Sequence, residues 1–152
     1  VNKLPRMIGV QSEECAPIAE AYFSGAEVVE EWTKPVKTVA SGIADPLIGY
    51  AQDGTLTKDT ILLSKGSAVK ATDQETLAAT KRLAASEGIF AETTGATALV
   101  AVERLLADGL IAFNDIVVAV ITGHGLKTPD ALLDAGHKTP VISRVDELEA
   151  LI

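Results

Sequence analysis

The residues best placed to do chemistry are Thr122-Gly123-His124-Gly125. The six apolar residues from Ile116 to Ile121 run into them without a break. That pattern predicts a strand covered on both faces, as in a parallel sheet, ending at a polar turn. In open α/β sheets ligands bind at that end, so Thr122 is either a ligand contact or the first polar residue of an ordinary loop. The turn is not a dinucleotide fingerprint, because G-x-G-x-x-G is incomplete. Glu92 has a similar setting, between the apolar Ile89-Phe90-Ala91 and a helix start. It either serves a site or balances the positive helix N-terminus.

Other chemistries find little support. His124 and His137 are the only histidines, and neither belongs to a ligand cluster of the spacing metal sites show; His124 reads as a loop residue. Cys15 is the only cysteine, which excludes an internal disulfide. No base stands near it in sequence to activate a thiolate, so it reads as a small buried residue. No Ser-His-Asp set can be assembled. No catalytic residue and no metal ligand is assigned.

The elements that must carry these residues alternate between strand and helix. Met7 to Val10 reads as a short buried strand, and Ser12 to Cys15 as the turn after it. Pro17 suits the first turn of a helix that stops at Gly25. Residues 26–66 are the least legible; Lys37 to Ile43 is readable as extended, and Asp45-Pro46 and Gln52-Asp53-Gly54 are turn signals. A strand is expected over Ala68–Thr72. Thr72 and Glu75 then have capping-box spacing for a helix from Asp73 to Ser86. A second helix follows Glu92-Thr93-Thr94-Gly95, with Ala98, Val102, Leu105 and Leu106 as its apolar stripe and Gly109 as its stop. A short helix is expected from Thr128 through Asp134, and a last one over Val145–Ile152. Strands alternating with helices imply a mostly parallel sheet flanked by helices. Right-handed crossovers would gather the polar segments 11–15, 92–95 and 122–125 on one rim.

The 152 residues suit one α/β domain over 1–152. An apolar content of 47% with 22% charged residues describes a globular chain, not a disordered one. The net charge of −8 argues against a nucleic-acid partner, which needs a basic face. No apolar run approaches the roughly 18–20 residues that span a bilayer, and no leader opens the chain, so no membrane partner is expected. A lone cysteine suits the reducing cytoplasm. A start at Val1 fits a processed form or a piece of something longer.

Several segments, taken in order, resemble threonine synthase, a pyridoxal-phosphate enzyme of the fold type II (tryptophan synthase β-like) group. They are Gly9-Val10-Gln11-Ser12-Glu13 with Ala16-Pro17, Thr38-Val39-Ala40-Ser41-Gly42-Ile43, Val69 to Glu75, Glu87 to Gly95, and Val120 to Lys127. The order and spacing of these blocks over about residues 5–135 carry the match. The resemblance implies pyridoxal 5′-phosphate as cofactor and gives Thr122 a role, a neutral hydroxyl meeting the pyridine nitrogen and leaving it largely unprotonated. It implies that Gly42 brings backbone close to the ring. Glu92 would stand near the cofactor, with Ser41 and Gly123 as further cofactor-binding positions.

One departure limits what this chain does. The family's Schiff-base lysine motif and phosphate-cradling glycine-rich loop lie in its N-terminal half, and this chain has neither; Lys65, Lys70 and Lys127 match no such motif. The resemblance is to the C-terminal, large-domain part alone. It implies a fragment of a lyase of threonine biosynthesis, converting O-phospho-L-homoserine and water to L-threonine and phosphate and inactive by itself. Its partners would be a small phospho-amino-acid substrate, the missing N-terminal half and, in the full enzyme, a second copy in a homodimer. Two other readings stand beside it: a cysteate synthase-like or threonine dehydratase-like relative, and a stand-alone α/β binding domain. An exposed apolar sheet edge or patch would separate the fragment from the stand-alone module.

Overall fold

The computed structural model describes residues 4–129, 143, 144 and 146. Two strands, β1 (Ile8–Ser12) and β2 (Ser67–Ala71), pair in parallel with Ile8 opposite Ser67 and Ser12 opposite Ala71. Parallel pairing requires a long crossover, and here it contains α1 (Pro17–Ser24) and α2 (Ala51–Leu63). α3 (Asp73–Glu87) and α4 (Thr93–Ala107) follow β2. Short 3₁₀ turns form at Ser41–Ile43 and Gly125–Lys127. The architecture is α/β, as expected, with both strands and the helices at 17–24, 73–87 and 93–107 within a few residues of their sequence positions.

Alternation along the strands explains the layers. Ile8, Val10, Val69 and Ala71 pack with Ala96, Val100, Ala101 and Leu105 of α4 and Ala79 of α3. Gly9 and Ala68 point the other way, Gly9 toward Ile61 of α2 and Ala68 toward Cys15, Ala16, Ala19 and Trp32. Helices therefore cover both faces of the strand pair. Local signals set the ends. Thr72 accepts from the Glu75 N–H at 3.2 Å while the Glu75 carboxylate accepts from the Thr72 N–H at 2.9 Å, completing the capping box.

The structure corrects two expectations, the buried face of α4 and the buried strand at 116–122, and defines two segments that the sequence left open. The buried face of α4 is Ala96, Thr97, Val100, Ala101 and Leu105; Leu106 is exposed, and Ala98 and Val102 are half-buried. Small residues on that face let α3 and α4 approach closely, so the largest apolar side chains do not mark it. Residues 37–43 form no strand and end in the 3₁₀ turn. Ile89-Phe90-Ala91 contributes only an isolated bridge, from Ala91 to His124. The run from Ile116 to Thr122, expected as a buried strand, has no ladder partner among the described residues. Ile116 is 97% exposed, Val118 83% and Val120 70%. A strand is buried on both faces only when neighbours flank it, and among the described residues none does.

α2 was hidden in the sequence for a plain reason. Its buried positions are Gly54, Lys58 and Ile61, so a glycine and a lysine occupy two of the three places that would show an apolar stripe. The Lys58 ammonium donates to the Ala26 carbonyl at 2.8 Å and also to that of Glu27, closing the loop after α1 onto α2. The helix expected from Thr128 runs beyond the described residues, and the one expected over Val145–Ile152 lies outside them except for Asp146.

Candidate functional site

The C-terminal ends of both strands open onto one rim, and a network of short hydrogen bonds fixes the loop that crosses it. Asp73, the first residue of α3, accepts from the Thr38 hydroxyl at 2.5 Å and from the Val39 N–H at 3.0 Å. Thr38 in turn accepts from the Ser12 hydroxyl at 2.9 Å and the Ala40 N–H at 3.1 Å. Residues 38–43 are thereby tied to the ends of β1 and β2, and Ser41 and Gly42 sit exposed in the 3₁₀ turn.

α4 begins on the same rim. The buried Thr93 donates its hydroxyl to the Val39 carbonyl at 2.5 Å. The Gly42 N–H donates to the Thr94 hydroxyl at 3.0 Å. Gly95 lies so close to the 122 turn that a Cβ on it would stand 2.0 Å from the Thr122 carbonyl oxygen. Glu92, the N-cap residue, makes no side-chain cap hydrogen bond. Its largely buried carboxylate lies over Gly123 and pairs with the Lys127 ammonium at 3.0 Å. The Glu92 N–H reaches the Gly123 carbonyl at 3.4 Å, and the Gly125 N–H donates to the Phe90 carbonyl at 2.8 Å. Gly123 takes φ 66°, a left-handed value that glycine adopts without strain.

Ser41, Gly42, Glu92, Thr122 and Gly123 thus share one rim, linked through the first turn of α4. The Thr122 side chain is exposed, and its hydroxyl has no hydrogen-bond partner among the described residues. The segment 11–15 joins through Ser12 alone. Thr93, Thr94 and Gly95 belong to the segment 92–95 that the sequence expects on the rim, whereas Thr38 and Asp73 were not singled out as rim residues. Asp73 lay inside a capping-box motif that explains it as a helix start; an acid and a hydroxyl grouped at strand ends were the available signal.

The remaining reactive groups have structural roles. His124 caps the second 3₁₀ turn, its Nδ1 accepting from the Leu126 N–H at 3.2 Å, and packs edge-on against Phe90. Among the described residues no three His, Cys, Asp or Glu side chains form a metal-holding group. Cys15 is fully buried; burial first, and the Asp45 carboxylate second, push its thiol up, away from the thiolate. No described helix is long and apolar enough to cross a membrane.

Comparison with known proteins bears on the family and the fold. Residues 1–123 match the family model described as pyridoxal-phosphate dependent enzyme. The threonine synthase of Methanocaldococcus jannaschii is 36% identical over 138 residues, covering 91% of this chain and 33% of that protein. The threonine synthase of Methanosarcina acetivorans is 35% identical over 152 residues, covering 99% and 36%. The threonine synthase of Mycobacterium bovis is 34% identical over 142 residues, covering 93% and 36%. The chain therefore spans about a third of the length of the curated relatives it matches. Among solved structures, a threonine deaminase from T.th. superposes with a TM-score of 0.52 at 20% identity, over 66% of this chain and 34% of that one. That likeness shows the α/β fold alone.

Proposed function

The chain belongs to the pyridoxal-phosphate dependent enzyme family, and from that premise we propose that it is the C-terminal part of a threonine synthase-like lyase. The whole enzyme would convert O-phospho-L-homoserine and water to L-threonine and phosphate in the cytoplasm, as a homodimer. This chain, one α/β unit over residues 1–152, would build one wall of the cofactor site. The observation that carries the reading is the gathering of the Ser41-Gly42 backbone, Glu92 and the Thr122-Gly123 turn on one rim at the strand ends.

The residues present fit a pyridine ring. The exposed Thr122 hydroxyl has no partner among the described residues, which leaves it available to a ring nitrogen. Unlike a carboxylate, a neutral hydroxyl does not hold a proton on that nitrogen. The one carboxylate beside it, Glu92, already faces the Lys127 ammonium at 3.0 Å. Gly42, exposed and without a side chain, lets backbone approach the ring. When bound, the cofactor supplies an electron sink for carbanions. Thr122 would orient the ring and set the protonation of its nitrogen, while Gly42, Ser41 and Gly123 shape the wall. The anchoring lysine and the phosphate loop would come from the remaining polypeptide.

The uncovered run from Ile116 to Val120 supports a missing partner. A stand-alone module would leave no such apolar segment open to water. The test is threonine formation from O-phospho-L-homoserine with added pyridoxal 5′-phosphate. The isolated chain should show none, and the chain joined to the rest of the enzyme should turn over. Turnover by the isolated chain would refute the division of labour proposed here.

A further inference from the structure

Three consecutive residues at the start of α4 reach both sides of the rim. Thr93 holds the Val39 carbonyl at 2.5 Å, Thr94 holds the Gly42 N–H at 3.0 Å, and Gly95 lies against the Thr122 backbone. In a helix, backbone hydrogen bonds fix these three positions relative to one another. Their partners belong to segments far apart in sequence, residues 38–43 and 120–125. The described contacts that join those two segments run through this one turn.

We propose that Thr94 and Gly95 are positioning residues that set the separation between the Gly42 backbone and Thr122, and so the width of the slot that takes the pyridine ring. The inference rests on the cofactor reading above. Gly95 acts by having no side chain: backbone atoms of Thr122 stand at 2.0, 2.7 and 2.9 Å from where a Cβ would be, so the turn seats directly on the helix. Thr94 acts by direction. Its hydroxyl accepts from the Gly42 N–H at 3.0 Å and so fixes where that backbone lies relative to α4. Gly42 fits closely against it, since a Cβ there would be 2.9 Å from the Thr94 hydroxyl oxygen and 3.1 Å from its methyl. One turn of helix thus fixes a hydrogen-bonded edge on one side and a van der Waals stop on the other. Neither residue needs to touch the cofactor.

The experiment compares Thr94→Val and Thr94→Ser in the complete enzyme. Pyridoxal 5′-phosphate is titrated and followed by its absorption and by the circular dichroism induced in its band, with melting temperature of the apoprotein as a second measurement. Loss of the hydroxyl in Thr94→Val should weaken cofactor binding about fivefold to tenfold and reduce the induced signal. Thr94→Ser, which keeps the acceptor, should stay within about twofold of the parent, and both should melt close to it. Parent-like binding by Thr94→Val, or a loss that Thr94→Ser shares, overturns the proposal. A Thr122→Val arm separates the two levels. If it alters the signal while Thr94→Val does not, positioning fails and the cofactor reading stands; if neither variant alters it, both fall.

Discussion

Gly95→Ala gives the sharpest test of the rim, because stability and site geometry should respond differently. A Cβ at residue 95 would lie 2.0 Å from the Thr122 carbonyl oxygen, and ordinary contact begins near 3.4 Å. The two segments must therefore separate by about 1.4 Å or bear a severe overlap. Two elements compete to yield. α4 is locked by buried Ala96, Val100 and Leu105, whereas residue 122 is exposed, and next to it the turn meets α4 through a 3.4 Å Glu92–Gly123 hydrogen bond, its firmer ties, Gly125 to Phe90 and Lys127 to Glu92, lying further on. The turn gives way. Losing that bond costs about 1 kcal/mol, and replacing a helical glycine with alanine contributes about 1 kcal/mol in return. Net stability should change by less than about 1 kcal/mol, while Thr122 moves by roughly an ångström, a displacement able to cost a site up to about 100-fold. The assay is urea unfolding beside pyridoxal 5′-phosphate titration of the complete enzyme. Gly109→Ala serves as control; its φ of 68° makes alanine strained there, so it should lose stability and leave the cofactor site alone. Parent-like cofactor affinity in Gly95→Ala would refute the reasoning. So would a destabilisation beyond about 3 kcal/mol, because that is the range of forced repacking in a core and would mean the helix yields instead.

Two further outcomes follow from charges that hold the frame. Lys58 is 3% exposed and donates to the carbonyls of Ala26 and Glu27, so Lys58→Met, similar in length but unable to donate, leaves both acceptors wanting. It should lower the unfolding free energy by about 2–4 kcal/mol in urea titration, and a loss below about 1 kcal/mol would show that water satisfies those carbonyls. Glu75 reports on pH. Burial pushes its carboxyl up, but hydrogen bonds from the Thr72 hydroxyl, Arg104 and the Thr72 amide outweigh burial and hold it below its ordinary value. A carboxyl lowered on folding adds stability above its unfolded pKa and loses it as pH falls through the folded one. Glu75→Gln should therefore melt earlier than the parent at neutral pH, with the gap closing below about pH 4. A gap that is constant with pH would mean the capping box works without its charge.

How much of this was legible depends on where the stabilising partner lies. α3 was readable almost to the residue because its signal is local: Thr72 and Glu75 satisfy each other's backbone across three positions. α4 was readable as a helix but not in its buried face, because that face is defined by what it meets, namely the small side chains of α3 and the strand pair. α2 was not readable, because Lys58 replaces apolar burial with hydrogen bonds to a loop some thirty residues earlier, a device without periodicity. The rim was legible by residue type at Thr122 and Glu92. The segment 92–95 was also legible as part of the rim, but the links from Thr93 and Thr94 to Val39 and Gly42 were not, because a hydroxyl that bonds a distant backbone group has the same sequence signature as one that faces water.

The run from Ile116 to Val120 shows the same logic in reverse. Its unbroken apolarity describes a strand with neighbours on both edges and cover on both faces. The structure instead gives an exposed segment outside any strand, whose hydrogen bonds and close contacts among the described residues lie at its ends. At one end the Arg6 guanidinium donates to the Leu110 carbonyl at 3.0 Å and meets Asp115 at 3.5 Å; at the other, Thr122 and Gly123 rest on α4. Sequence reports the surroundings in which a segment is stable, and the described residues supply only some of those surroundings. Under the proposed reading, the rest would come from flanking strands that offer backbone hydrogen bonds on both edges and apolar side chains above and below. A partner of that kind would lie beside Arg6 at one end and beside Thr122 at the other. Completing the sheet and completing the cofactor wall would then be the same docking event, which ties the stability of this segment to the assembly of the site.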